Sequence, residues 1–258
     1  MMNEANTAAD SKQPPAPQGG KWTEIEHLPE WDETFYDVYT AKKFGKWVML
    51  KTLKQEFKGK PEYESMLERE FEVRYNLAHP RIVMINDLEE VPGLGRCIIT
   101  DDVYGDSLRK LIDTGKVTPE IVQKVSRQLP EALDYVQTNH IIHHPIRPET
   151  VIFTENIGNL KLIDVGFDQK NQLEPTDVAD DIRSYGQVLS AALDACPGEN
   201  FPHLRAVADR CLSPFPYRNV QQLQMAVAER STIRLYLAII AFLTEVVVIL
   251  TVILCLRP

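Results

Sequence analysis

A loop rich in histidine and proline, followed by a β-hairpin pattern and an Asp-Val-Gly turn, holds residues suited to chemistry. His143 and His144 lie side by side in this loop. Because histidine titrates near neutral pH, either side chain could serve as a base. Two short apolar runs, Thr150–Phe153 and Leu160–Ile163, flank a polar loop and predict the hairpin. The turn that follows begins at Asp164.

The order of these residues resembles the catalytic loop and the metal-binding turn of the protein-kinase family, which usually read H-R-D-x-K-P-x-N and D-F-G. His143 matches the family's histidine, which has a structural role, and Asp164 matches the aspartate that holds metal. Pro145 stands at the place of the catalytic aspartate, and Thr150 replaces the metal-binding asparagine. The resemblance therefore implies a kinase site from which much of the chemistry has been removed.

A second group of family positions lies nearer the N-terminus. Lys51 ends a Val-Met-Leu-Lys strand and matches the family's lysine. Glu70 lies nine residues before His79-Pro80, at the place of the glutamate that pairs with this lysine. The resemblance therefore implies a Lys51–Glu70 ion pair, although such a pair can also be purely structural. Arg74 stands where the family has an apolar residue, which indicates an altered regulatory core.

The family's glycine-rich loop, which covers the nucleotide phosphates, is replaced here by bulkier residues. Trp31, Glu33 and Tyr36 stand at the three glycine places. Glycine is used there because the backbone must approach the phosphates closely, and Glu33 would also put a carboxylate near a triphosphate. Met49 replaces the small residue above the adenine and would fill that space, unless it swings aside as a flexible filler. Weak or absent nucleotide binding is expected.

Positions further along the chain match the back and the hinge of the nucleotide pocket. Thr100 matches the gatekeeper, and Asp101 and Val103 match the hinge. The resemblance would assign ATP to these three residues together with Lys51 and Asp164, with Asp164 as the ligand of magnesium. ATP with magnesium is the cofactor that the resemblance implies, and its binding stays an open question at this point.

The second half of the chain resembles a shortened large lobe of the family. Residues 181–189 resemble the D-x-W-S-x-G-x-x-L helix, in which Asp181 would cap the backbone around His143. Arg218 matches the family's arginine near the end of the domain. No Ala-Pro-Glu follows the Asp-Val-Gly turn, so a short activation segment is predicted. The usual substrate-docking helix is also expected to be missing, between Ala195 and Pro202.

The resemblance covers about residues 31–229 and implies an α+β, bilobal, protein-kinase-like fold. We predict four regions along the chain: a disordered leader (1–24), a small β-rich N-lobe (25–103), a shortened and mostly helical C-lobe (104–230), and a transmembrane helix (235–256). The formal charge of -9 excludes a nucleic-acid partner, because no basic excess is available to displace counterions. The cysteines have no paired spacing, so neither a zinc site nor a disulfide framework is indicated: Cys97, Cys196, Cys211 and Cys255.

The C-terminal segment Leu235–Leu256 has Glu245 as its only charged residue. At about 1.5 Å per residue this helix would be roughly 33 Å long, enough to cross a hydrocarbon core of about 30 Å. We therefore predict a single-pass C-terminal anchor, with the kinase-like domain on the cytoplasmic side because no signal peptide precedes it. Glu245 would be either a tolerated, protonated residue or a contact for self-association or a partner's span.

Two functions are consistent with these residues. The first is a membrane-anchored pseudokinase that binds protein partners through its kinase-like domain, as a scaffolding or regulatory signalling module. The alternative is a serine/threonine kinase-like transferase with ATP binding and residual or altered phosphoryl transfer, relying on Lys51, Glu70 and Asp164. The replaced glycines, Met49, Pro145, Thr150 and the short activation segment favour the first.

Overall fold

The chain folds into a small β-rich lobe followed by a mostly helical lobe, in a computed structural model. This confirms the α+β, bilobal architecture predicted from the sequence. The structure describes residues 20–103, 105–142, 145–154, 158–163, 168–198 and 200–255, and every structural statement below concerns these residues.

The N-lobe is built on a five-stranded antiparallel sheet with the strand order β1-β2-β3-β5-β4. Its strands are β1 (Trp22–His27), β2 (Tyr36–Lys43), β3 (Lys46–Leu53), β4 (Ile85–Val91) and β5 (Gly95–Asp101). A 3-10 helix, Pro29–Trp31, lies between β1 and β2. Strand β1 begins inside the predicted leader, because Trp22 pairs with Lys43 of β2, so the ordered lobe starts earlier than residue 25. Residues 1–19 of that leader lie outside the described residues.

Tight turns and one helix complete the N-lobe. Phe44 and Gly45 both have positive φ angles, as the two central residues of a short hairpin loop require. Helix α1 (Pro61–Tyr75) lies against the sheet. Its fully buried Leu67 packs in the same cluster as Leu53 and Ile98 of the sheet. This packing fixes the helix face that carries Glu70.

The C-lobe is organised around the long helix α3 (Pro119–Thr138), whose Leu129 and Leu133 are fully buried. The other helices are α2 (Leu108–Asp113), α4 (Pro175–Ala195), α5 (Pro202–Leu212) and α6 (Val220–Cys255). Ser107 caps α2 by accepting a hydrogen bond from the Lys110 backbone N–H at 3.1 Å. Tyr185 of α4 donates to the Ser126 carbonyl of α3 at 3.1 Å and ties these two helices together.

Short strands connect the two lobes and carry the predicted hairpin. They are β6 (Gly105–Ser107), β7 (Ile141–Ile142), β8 (Val151–Thr154), β9 (Leu160–Leu162) and β10 (Asp168–Gln169). Strands β8 and β9 pair antiparallel, with Val151 opposite Leu162, which confirms the hairpin. No helix lies between α4 and α5 among the described residues of that connection. The segment before α4 is also short, as predicted.

Helix α6 starts in the C-lobe core and runs far beyond it. Val220 and Leu223 are fully buried, and Gln224 donates to the Pro130 carbonyl of α3 at 3.3 Å. The predicted span Leu235–Leu256 belongs to the later part of this helix, where many side chains, and Leu256 as a whole, lie outside the described residues. Within the part of the chain that the structure describes, no helix combines the length and the apolar character needed to cross a membrane.

Candidate functional site

A buried ion pair between Lys51 of β3 and Glu70 of α1 forms the base of the candidate site. The Lys51 Nζ and Glu70 Oε1 atoms are 3.0 Å apart, and both residues are at least nine-tenths buried. Strand β3 places Lys51 on the face of the sheet that meets α1, and the packing of Leu67 brings Glu70 to the same face. The structure thus confirms the predicted pair.

Arg74 joins this pair from the next turn of α1. Its NH1 atom lies 2.6 Å from the same Glu70 Oε1 atom, and Arg74 is 5% exposed. Burial alone would raise the pKa of the Glu70 carboxyl, but the charges and hydrogen bonds of Lys51 and Arg74 lower it below its usual value. An arginine replaces the family's apolar residue here because Glu70 supplies the partner that a buried guanidinium needs.

Glu33 adds a second carboxylate to Lys51 from the opposite side of the cleft. The Glu33 Oε2 and Lys51 Nζ atoms are 2.7 Å apart, so the lysine lies between two glutamates. The Tyr36 ring lies beside the same ammonium group, with its centroid 4.2 Å from Nζ. Burial, followed by the charge of Glu70, raises the pKa of Tyr36 well above its usual value, so this ring stays neutral.

The cleft between the lobes has an empty volume of about 510 Å³, including the solvent at its mouth. Met49 and Thr100 line it, as expected for positions above and behind a nucleotide. Asp101 and Val103 do not line it. Asp101 instead accepts hydrogen bonds at the surface from Lys46 and Asn86, at 3.0 and 2.9 Å. Val103 is buried in a small cluster with Val83 and Ile152.

The pKa of Asp101 is lowered by its partners at the surface. Burial would raise the pKa of its carboxyl, but hydrogen bonds from Asn86 and Lys46 and the charges of Lys46 and Lys161 lower it. The assignment of Asp101 and Val103 to a nucleotide site therefore has no support in the geometry of the described cleft.

The catalytic loop has no group ready for phosphoryl transfer in its described part. Pro145 is exposed and its side chain has no proton acceptor. Thr150 is 6% exposed, and its hydroxyl is used within the loop: it donates to the Arg147 carbonyl at 3.0 Å and accepts from the Arg147 N–H at 3.2 Å. His143, His144 and Asp164 lie outside the described residues, as does the expected contact of Asp181 with the backbone around His143. Gln137 donates to Asp181 at 2.7 Å.

These residues do not fit ATP with magnesium as the family binds it. Glu33 holds a negative charge against the lysine that would anchor phosphates, and the Thr150 hydroxyl is already paired within its own turn. A second carboxylate near the phosphates would repel them, and Thr150 is a poor metal ligand at the place of the family's asparagine.

A histidine and two aspartates form the one group of possible metal ligands in the described chain. The ligand atoms of His27, Asp32 and Asp37 all lie within 4.8 Å of one another on the N-lobe. Asp32 Oδ1 already contacts His27 Nε2 at 3.0 Å and accepts the Val38 N–H at 2.9 Å. The spacing of these three residues matches no metal motif, so the cluster was not predicted from the sequence. Hydrogen bonds that fix the β1–β2 connection account for it.

A twisted five-stranded lobe, a helical lobe and a lysine–glutamate pair joining strand β3 to helix α1 define a protein kinase fold. The family model "Protein kinase domain" matches residues 34–184, more than half of the chain. The chain belongs to the protein kinase domain family.

Several curated kinases are similar to parts of the chain. Serine/threonine-protein kinase 36 of Pongo abelii is 34% identical over 102 residues, which are 39% of this chain and 8% of that protein. A probable serine/threonine-protein kinase of Streptomyces coelicolor is 31% identical over 140 residues, 50% of this chain and 20% of that protein. CBL-interacting serine/threonine-protein kinase 15 of Arabidopsis thaliana is 31% identical over 137 residues, which are 52% of this chain and 32% of that protein. The chain therefore spans at most about a third of these relatives.

Solved kinase structures share the fold across most of this chain. The kinase domain of PknI from Mycobacterium tuberculosis has a TM-score of 0.60, covers 84% of this chain and is itself covered to 99%. The sequence identity is 20%, so this likeness shows the fold alone.

Proposed function

We propose that the chain is a membrane-anchored pseudokinase that acts as a binding, scaffolding or regulatory signalling module. The observation that carries this proposal is the 2.7 Å contact between Glu33 and Lys51. In a kinase that uses ATP, this lysine must be available to the nucleotide phosphates. Here the carboxylate of Glu33 contacts Lys51 in place of a nucleotide phosphate.

The catalytic loop supports the same conclusion from the other lobe. Phosphoryl transfer depends on orienting the attacking hydroxyl and on neutralising the phosphate charge with metal. Pro145 cannot accept a proton, and the Thr150 hydroxyl is held by Arg147. The protein partners in this proposal bind the surface of the kinase-like domain.

The alternative is a serine/threonine kinase-like transferase with residual or altered activity. The observation that favours it is the intact Lys51–Glu70 pair at 3.0 Å, together with the similarity to serine/threonine kinases. In this alternative, ATP displaces Glu33 from Lys51. The two proposals therefore differ in whether Glu33 yields to a nucleotide.

A transfer assay separates these two proposals. The full chain, incubated with radiolabelled ATP, magnesium or manganese and generic protein substrates, is expected to incorporate no more label than a Lys51→Ala variant. An Arg69→Ala variant, changed at a nearby position of α1 outside the cleft, serves as a matched control. Label incorporation that is robust in wild type and in Arg69→Ala, and that disappears in Lys51→Ala, would establish the transferase.

The anchor is the second part of the proposal. Residues 235–256 have Glu245 as their only charged residue, and α6 joins them directly to the C-lobe. The proposed topology has the kinase-like domain on the cytoplasmic side. Protease added to intact cells should leave that domain uncut, and cleavage would reverse the topology.

Glu245→Leu should weaken association with a second copy or a partner's span without releasing the protein from membranes, and unchanged association would remove this contact.

A further inference from the structure

The cleft between the lobes offers apolar surface to a ligand. Its apolar lining consists of Trp31, Val38, Met49, Leu50, Val83, Ile98 and Ile163. These side chains border an open space of about 510 Å³, which includes the solvent at the mouth of the cleft. Met49 lines this space. A small molecule other than a nucleotide would therefore meet an apolar wall here.

The charged residues at the inner end of the cleft balance one another. Glu33 and Glu70 carry two negative charges, and Lys51 and Arg74 carry two positive charges. These four side chains have no net charge with which to attract a polyanion. A triphosphate would also have to separate Lys51 from Glu33, which lie 2.7 Å apart, and would then meet the freed carboxylate. The cleft is therefore unfavourable for nucleotides.

Arg74 offers a hydrogen-bond donor at this end of the cleft. Arg74 lines the cleft and is 5% exposed, and its Nε atom has no hydrogen-bond partner among the described residues. Its NH1 atom is occupied by Glu70. Because buried donors are normally paired, an acceptor on a bound ligand would satisfy this group.

We propose that the cleft binds an uncharged, mainly apolar small molecule with a hydrogen-bond acceptor, and that Glu33 excludes nucleotides by pairing with Lys51. This ligand class rests on the proposed function, because a working kinase would have to admit ATP at the same place. Glu33 is thus a specificity-determining residue of a binding site and has no part in a reaction.

Two fluorescent probes with the same aromatic rings test the selection by charge. N-phenyl-1-naphthylamine is uncharged, and 8-anilino-1-naphthalenesulfonate carries one sulfonate. Titrated into the full chain, the uncharged probe should bind saturably and at least about tenfold more tightly than the sulfonate. Glu33→Gln removes one negative charge beside Lys51, so it should tighten binding of the sulfonate and of magnesium–ATP about tenfold or more. The uncharged probe should change less than twofold.

Three further variants make these measurements specific to the cleft. Glu26→Gln is the matched control, because Glu26 is exposed on β1 and its substitution should change no affinity. Thr100→Phe and Ile163→Phe each fill the cleft, from β5 and from the end of β9, and either should reduce binding of the uncharged probe at least about tenfold. Circular dichroism identifies which filling variant is folded, and the probe signal common to all variants reports binding elsewhere on the chain.

Two outcomes would overturn the inference. One is binding of the uncharged probe that a folded filling variant does not reduce. The other is an ATP affinity that is the same in wild type and in Glu33→Gln. If either occurs while the transfer assay stays negative, the ligand class or the role of Glu33 in excluding nucleotides is wrong, and the non-catalytic function stands. Tight ATP binding accompanied by Lys51-dependent phosphate transfer would overturn the proposed function as well.

Discussion

The family's lysine and glutamate are present in the N-lobe, whereas two residues of the family's catalytic loop are replaced in the C-lobe. In the N-lobe, Lys51 and Glu70 match the family and form a buried ion pair that Arg74 and Glu33 extend. In the C-lobe, Pro145 replaces the family residue, and the hydroxyl of Thr150 is used in a local turn. The matching residues hold helix α1 to the sheet, a task that needs no nucleotide. Under the proposed function, ion pairing in the N-lobe serves to hold helix α1 on the sheet.

The largest effect is expected from removing the central charge of the N-lobe cluster. Glu70→Gln leaves Lys51 and Arg74 buried without their shared carboxylate. Breaking a buried ion pair by removing one partner costs about 3–5 kcal/mol, so the free energy of unfolding should fall by that order. Urea unfolding of the full chain measures it. Glu72→Gln, an exposed position on the same helix, is the control and should change stability by less than about 0.5 kcal/mol.

The pH dependence of this effect sharpens the assignment to charge. The folded-state pKa of Glu70 is lowered, so its contribution is fully present above its unfolded-state pKa of about 4.3. That contribution is lost as the pH falls from there through the folded-state pKa. The stability difference between wild type and Glu70→Gln should thus be constant from pH 7 to about pH 5 and shrink below about 4.3. A difference independent of pH would assign the loss to packing.

A smaller effect is expected in the catalytic loop. Thr150→Val keeps the shape of the side chain but removes both hydrogen bonds with Arg147. Net hydrogen bonds contribute about 0.5–1.5 kcal/mol each, so unfolding free energy should fall by about 1–3 kcal/mol, less than for Glu70→Gln. Thr114→Val, which removes an exposed hydrogen bond to the Lys110 carbonyl, is the matched control. A loss in Thr150→Val as large as that in Glu70→Gln would remove the contrast between the lobes.

Much of this contrast was predictable from residue order. The strand lysine, the glutamate nine residues before His79-Pro80 and the β8–β9 hairpin all lie where the sequence placed them. These features depend on local periodicity and short connections. The pairing of Trp22 with Lys43 was not predicted, because strand β1 follows a polar leader and has no apolar alternation of its own.

Tyr36 has a packing role that matching its position to the family did not predict. It stands at a glycine place of the family, which suggested that glycine there would help nucleotide binding. In the structure Tyr36 is 4% exposed and packs with Leu53 and Leu67. Removing a buried aromatic side chain costs about 3–5 kcal/mol, so glycine at this position would destabilise the lobe. Changes at Glu33 alone are the better means of opening the cleft.

The contact of Glu33 with Lys51 also needed the structure. The 3-10 helix Pro29–Trp31 turns the chain toward the cleft, and the Glu33 N–H donates to the Tyr36 carbonyl at 3.0 Å. This turn depends on the path between β1 and β2, which composition does not specify. The sequence indicated a carboxylate near the phosphates, and the structure identifies the lysine that it pairs with.

Equilibrium dialysis of magnesium–ATP against the wild-type full chain measures whether the Glu33 carboxylate keeps Lys51 from a nucleotide. No saturable binding is expected at micromolar ATP, and Glu33→Gln measured in parallel should bind more tightly. Saturable binding of micromolar ATP to the wild-type chain, at the same affinity as to Glu33→Gln, would contradict this role of Glu33.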